Sequence, residues 1–416
     1  MAWRETTLGE ICDQVGGGIQ TGPFGSQLHE SDYSTDGIPV VMPKDIIEGR
    51  ISTESVARVA TEHVDRLARH KLKCGDIVYG RRGDIGRQAL IRSGQNGWLC
   101  GTGCLRISLG DSVIEPTFLH YYLRQESAIS WISGQAVGAT MPNLNTGILR
   151  SVPVHVPPLP TQRRIAGILS TYDDLIENNQ RRIRILEDMA RSLYREWFVH
   201  FRYSGHESVP LVDSPLGPIP QGWEVKKLRD VCNLTMGTSP KSEFYNEAGD
   251  GLPFHQGVTN FGARFPTDRL FCTVESRIAE AGDILFSVRA PVGRMNITDK
   301  KIIIGRGLSA IHHKAGHQAF LWEQLRAKFT EEDMMGNGAI FASVTKDDMQ
   351  GIELLCPTEQ FIKAATRYFK PLHAEIEVLI KQTANLCRTR DLLLPRLLSG
   401  QINVDATETL IEEAIA

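Results

Sequence analysis

The chain repeats itself. "WRETTLGEIC" at 3–12 returns as "WEVKKLRDVC" at 223–232, and "GIPVVMPKDI" at 37–46 returns as "GLPFHQGVTN" at 251–260. Further along, "GDIVYGRRGDIGR" (75–87) is echoed by "GDILFSVRAPVGR" (282–294), "GTGCLRI" (101–107) by "GRGLSAI" (305–311), and "SVPVHVPP" (151–158) by "GIELLCPT" (351–358). The order is kept, and the offset drifts only from 220 residues at Trp3 and Trp223 to 200 at Ser151 and Gly351, as small loop deletions would cause. A chain of 416 residues is already too long for one ordinary core. The duplication says how it divides: two copies of one unit.

Each copy opens with a globular stretch of mixed character. Short runs such as "DIVYG", "QALIR", "DILFSV" and "KIIIG", bounded by Gly, Pro and Asp, predict strands and turns. Between them, "EPTFLHYYLRQESAISWI" and "HQAFLWEQLRAKF" predict helices, so the unit is α+β.

Each copy closes with a long helix. Ile165, Leu169, Tyr172, Ile176, Asn179, Ile183, Leu186, Ala190, Leu193 and Trp197 alternate in steps of four and three, the heptad spacing of a coiled coil. Ala365, Phe369, Leu372, Ile376, Leu379, Thr383, Leu386, Arg390, Leu393 and Leu397 repeat the alternation, each 200 residues after its counterpart. At 1.5 Å per residue, a helix of about 35 to 40 residues is roughly 50 to 60 Å long, more than a small domain is wide. Asn179, Thr383 and Arg390 interrupt the apolar seam, and such polar residues can fix register. Pro371 and Pro395 fall inside the second pattern and predict a kinked or shortened helix. Two helices each packed on its own domain are the alternative to a coiled coil.

The predicted boundaries are 1–157 for the first globular domain, 158–204 for its helix, 205–222 for a linker rich in Pro, Gly and Ser, 223–356 for the second domain, 357–402 for its helix, and 403–416 for an acidic tail. The tail is expected to be mobile or a weak last helix. No apolar run is long enough to span a membrane, and "MAWRETTLGEICDQV" has none that would suit a signal peptide, so a cytoplasmic protein is expected. Eight cysteines, scattered singly apart from Cys100 and Cys104, indicate neither a disulfide framework nor a zinc module.

The net charge is only −3, yet positive charge is concentrated. Between 66 and 92 stand Arg66, Arg69, Lys71, Lys73, Arg81, Arg82, Arg87 and Arg92 against Asp76 and Asp84. The second copy carries Arg289, Arg294, Lys300, Lys301 and Arg306 against Asp283 and Asp299. Glycines at 80, 83 and 86 let backbone approach phosphate, and the planar arginine fork suits phosphate or a guanine edge. Solvated charge flanking two strands is the plain alternative. Two similar units joined by rod-like helices favour DNA, because paired units held apart are how a protein reads two half-sites. Enzyme signatures are missing: there is no GxxxxGK[ST] loop, HExxH or GxSxG, and no Asn/Asp-Pro-Pro-aromatic motif. His312, His313 and His317 lie close together but lack carboxylate or Cys partners at ligand spacing, so no metal site is expected.

The segment "PPLPTQRRIAGILSTYDDLIENNQRRIRILEDMARSLYREWFVHFRYSGHE" (157–207) resembles the first helical conserved region of the specificity subunits of type I restriction-modification enzymes. "TRDLLLPRLLSGQI" (389–402) resembles its C-terminal counterpart, and "TGPFGSQL" (21–28) and "PLGPIPQGWEVKKL" (215–228) also recur in that family. The resemblance implies two target recognition domains that each read half of an asymmetric, split DNA sequence. It implies an antiparallel helix pair as spacer, the arrangement a pseudo-two-fold tandem repeat requires. It implies a chain that is not itself catalytic and binds no cofactor. Its partners would be double-stranded DNA, two modification subunits that use S-adenosylmethionine to methylate adenine, and two restriction subunits that use ATP and magnesium. The helices' outer charges, among them Arg163, Arg164, Arg181 and Arg182, are candidates to dock the methylase. Lys44, Arg81, Arg82 and Arg87 in the first domain, and His255, Gln256, Arg289, Arg294 and Arg306 in the second, are the expected DNA contacts. A divergent methyltransferase or nuclease, or a coiled-coil scaffold of another defence complex, are the competing readings.

Overall fold

A computed structural model describes residues 3–110, 113–135, 143–329 and 343–404. The chain forms two compact units that do not follow its linear halves: Met1–Asn178 joins Gln382–Ala416, and Asn179–Lys381 forms the other. Residues 405–416 of the acidic tail lie outside the described residues.

The first unit is built on an antiparallel sheet in the order Gly18–Thr21, Cys104–Ser108, Ile77–Gly80, Gln88–Leu90. A second sheet runs Leu99–Cys100, Ile38–Val41, Ala57–Val59, Tyr33–Ser34, with its first pair parallel. The second unit repeats both. Its antiparallel sheet runs Cys232–Met236, Leu308–His313, Ile284–Ser287, Met295–Ile297. Its other sheet again pairs two strands in parallel, Leu252–His255 with Ile302–Ile304. In each unit a two-stranded ribbon ties the start of the copy to its end: Arg4–Thr7 pairs with Pro153–Val156, and Glu224–Lys227 with Glu353–Cys356. The predicted strands "DIVYG" and "DILFSV" are the central strands Ile77–Gly80 and Ile284–Ser287, buried along their whole length because both faces are covered: Ile77 and Tyr79 pack in one core and Val78 in another, as do Ile284 and Phe286 against Leu285. The predicted helices form as Pro116–Leu123 with Glu126–Gln135, and as Gln318–Lys328. The Pro/Gly-rich stretch after the first long helix folds into a short ribbon, Leu211–Val212 against Ile219–Pro220.

The first long helix is Leu159–Tyr194, extended by a π-helical turn, Arg195–Val199, that carries Trp197. The second is Glu359–Leu398. Every heptad position named above is buried or half-buried, while most of the intervening charged residues are exposed and Asp173 is buried. Pro371 and Pro395 do not shorten the second helix. Both are exposed, as are Arg367 and Asp391 four residues before them, so the carbonyl that each proline leaves unbonded faces water and the helix continues.

Within each unit the two helices run antiparallel. In the first unit Ile165 and Leu169 share a core with Leu397 and Leu398, and about two turns further along Asp173 bonds Arg390, which lies two turns earlier in its own helix. In the second unit Arg182 Nη2 donates to Glu375 Oε1 at 2.5 Å, and Ala190 and Tyr194 share a core with Ile362, Ala365 and Phe369.

Candidate nucleic-acid interface

At one end of the antiparallel sheet, three backbone segments meet in each unit and are bonded in the same way. In the first unit the Arg81 N–H donates to the Gly103 carbonyl at 2.8 Å, and the Arg81 carbonyl accepts from the Leu144 N–H at 2.9 Å. The Gly101 N–H donates to Val41 at 2.9 Å. In the second unit the Val288 N–H donates to Gly307 at 2.9 Å, the Val288 carbonyl accepts from Val344 at 2.8 Å, and the Gly305 N–H donates to His255 at 2.8 Å. Arg82 bridges to Asn143 as Arg289 bridges to Ser343. These bonds equate Arg81 with Val288, Gly103 with Gly307 and Val41 with His255. Each unit therefore presents the same rim with different side chains on it.

Glycine is obligatory where the segments touch. A Cβ on Gly101 would stand 2.6 Å from both the Met42 sulfur and the Val41 carbonyl, and one on Gly305 would stand 2.7 Å from the Gln256 Cα. The repeated Gly-x-Gly strings at 101–103 and 305–307 record this close approach rather than a nucleotide cradle.

The expected contacts divide between rim and core. Lys44 is exposed on the short turn Pro43–Asp45, whose proline lies against Gly80 and Gly103. Arg82 and Arg87 are exposed, with Arg87 Nε donating to Asp84 at 2.9 Å. Gln256, Arg289, Arg294 and Arg306 are exposed on the corresponding turns of the second unit. Two of the expected contacts are not free on the surface. His255 has a side chain with 0% exposure, and its Nε2 lies 3.1 Å from Asp268 Oδ1. Burial lowers its imidazole pKa despite the opposing pull of Asp268, and the ring belongs to the core. Arg81 is half-buried, and its Nε donates to Asn143 Oδ1 and to the Leu144 carbonyl, both at 3.1 Å. Its guanidinium braces the rim.

The loops 22–27 and 237–241 complete the rim and carry no strong charge signal. Gly22 donates to Cys104 and Gly237 to Leu308, both at 2.9 Å, which sets an exposed Phe24 in one unit and Ser239, bonded to the Arg306 N–H at 3.3 Å, in the other. The glycine shared by "TGPFGS" and "MGTSPKS" was the available clue.

Where the long helices meet the first domain, a buried ionic cluster forms that heptad reasoning passes over. Asp173 accepts from Arg390 Nη1 at 2.6 Å, from the Tyr121 hydroxyl at 2.8 Å and from Arg124 Nη1 at 3.2 Å. Burial alone would raise its carboxyl pKa, but the Arg390 bond, the Arg124 charge and the Tyr121 bond together hold it below the usual range. In the second unit Glu323 on the matching helix meets His373 at 2.8 Å. All eight cysteines are free, and among the described residues no three His, Cys, Asp or Glu side chains gather to hold a metal. No helix among the described residues is long and apolar enough to cross a membrane.

Comparison with known proteins gives a consistent result. The profile of the type I restriction modification DNA specificity domain matches residues 2–188 and again 220–384. A putative type I restriction enzyme MjaX specificity subunit of Methanocaldococcus jannaschii is 30% identical over 412 residues, covering 97% of this chain and 94% of that protein. The type I restriction enzyme HindI specificity subunit of Haemophilus influenzae is 23% identical over 479 residues, covering 96% and 99%. The crystal structure of the type I restriction-modification S subunit from M. genitalium, 17% identical, covers 95% of this chain and 96% of its own with a TM-score of 0.61, so the fold is shared.

Proposed function

The chain belongs to the type I restriction-modification DNA specificity family, and from that premise we infer that it is the sequence-recognition subunit of such a system, reading each half of a two-part DNA target with one of its two rims. The observation that carries this reading is the bond-for-bond repetition of the rim with different exposed donors. Arg82 and Arg87 of one copy match Arg289 and Arg294 of the other, but Lys44 stands on the first copy alone and Gln256 and Arg306 on the second. Identical scaffolds with unlike side chains bind the same kind of ligand and read unlike sequences, which makes the target asymmetric.

In this reading the recognition domains are residues 1–157 and 223–356, and the helical segments set the unspecified gap between the half-sites. The methyl group and its transfer belong to a separate methyltransferase subunit, and cleavage, where it occurs, to an ATP-driven endonuclease subunit. Exposed apolar residues one heptad apart on the first long helix, Ile168 and Leu175, offer a docking stripe among the outer arginines. Mapping methylated adenines in DNA from cells that carry this chain and its methyltransferase tests the proposal. A split, asymmetric motif is expected. Methylation by the chain alone with S-adenosylmethionine, or binding without sequence preference, would overturn it.

A further inference from the structure

The rims differ most at one pair of positions. The turn 305–307 lies flat on the end of the strand Leu252–His255: the Gly307 N–H donates to the Gln256 carbonyl at 3.0 Å, and a Cβ on Gly307 would stand 2.6 Å from that same oxygen. The glycines on either side therefore hold Arg306 next to Gln256 on rigid backbone, with Ser239 Oγ fixing the Arg306 N–H. Both side chains are exposed. In the first unit the equivalent bonds place Thr102 and Met42 there, and both are half-buried.

The chemistry of the pair is directional. An arginine fork can bond guanine O6 and N7 together, and a glutamine amide can bond adenine N6 and N7. Glutamine brings no charge to a phosphate but matches both N6 and N7 of adenine, so its place beside Arg306 favours base edges. Segments bonded backbone to backbone, as Gly305 and Gly307 are to His255 and Gln256, stand about 5 Å apart, and base pairs stack about 3.4 Å apart. Two long side chains at that separation reach adjacent base pairs. Thr102 and Met42 cannot make bidentate contacts.

We propose that Arg306 and Gln256 are the base-reading pair of the second domain, Arg306 taking a guanine and Gln256 the adjacent adenine through the major groove, with no counterpart in the first domain. The proposal rests on the DNA-recognition reading above and assigns its specificity to two residues.

The test equilibrates the chain, assembled with its methyltransferase partner, with a library of randomised duplexes and sequences the bound fraction for wild type, Arg306→Met and Gln256→Met. Wild type should enrich a two-part motif. Arg306→Met removes the guanidinium but keeps an unbranched stem, so preference for one guanine in one half should fall roughly tenfold to a hundredfold, whereas loss of a mere phosphate contact would weaken all sequences alike. Gln256→Met should relax the neighbouring adenine, and the other half of the motif should not change in either variant. Retention of the guanine by Arg306→Met would reduce Arg306 to a phosphate contact and overturn the proposal, as would a loss spread over both halves. A wild type that enriches no motif at all would instead bring down the recognition reading, and this pair with it.

Discussion

Arg390→Met removes one charge from the ionic cluster that joins both long helices to the first domain, while keeping an aliphatic stem of similar length. Arg390 and Asp173 have side chains only 14% and 10% exposed and meet at 2.6 Å. A close pair at an effective dielectric near 20 interacts by about 4 kcal/mol. Asp173 keeps Arg124 and Tyr121, which return part of that, so the loss should be about 2–3 kcal/mol, at or just below the range for breaking a buried pair. For a unit of this size that is roughly 5–10 °C in the midpoint of its unfolding transition. Calorimetry on wild type, Arg390→Met, Asp173→Asn and the double variant forms a cycle, with a coupling energy of at least about 1.5 kcal/mol expected. The sign with pH is fixed as well. The folded carboxyl lies below its unfolded value, so its contribution is complete above about pH 4 and is lost as pH falls through the folded value. The gap between wild type and Arg390→Met should be flat from about pH 5 to 8 and close in acid. A coupling below about 0.5 kcal/mol at neutral pH would show that the cluster does not hold the joint.

Neighbouring arginines on the first rim should behave differently. Arg81→Ala should cost about 1–2 kcal/mol of stability through its lost bonds to Asn143 and Leu144. Arg82→Ala should leave stability unchanged and lower the salt slope of DNA binding by about 1, measured by titration at several salt concentrations. Gly305→Ala should force the rim apart, costing about 1–3 kcal/mol and weakening DNA binding while circular dichroism stays native. In native alkylation followed by mass spectrometry, exposed Cys74 should react first. Cys100, buried and with its thiol pushed up to about 12 by that burial, should react only after unfolding, as should Cys104.

Much of this molecule was legible in the sequence because it is written twice. A heptad is a one-dimensional pattern, and all its positions from Ile165 to Leu397 prove buried or half-buried. The central strands were legible too, since an apolar run bounded by turn residues has few other uses. Prolines 371 and 395 misled because propensity does not say which face of a helix meets water. Among the rim residues, exposure was the hidden variable. His255 and Gln256 are adjacent, yet the first closes a strand buried from Pro253 to His255, and the second lies just past the strand's end and is exposed. Arg81 and Arg82 read alike, and only the approach of Asn143 and Leu144, about sixty residues on, turned one of them inward. The sequence by itself determined the duplication, the heptad frame and the location of the basic loops, because each is a local or periodic property. Tertiary structure alone decided that each compact unit draws on both long helices, that Asp173 meets Arg390, and that Arg306 stands beside Gln256. Those contacts join residues distant along the chain, and no local pattern encodes them.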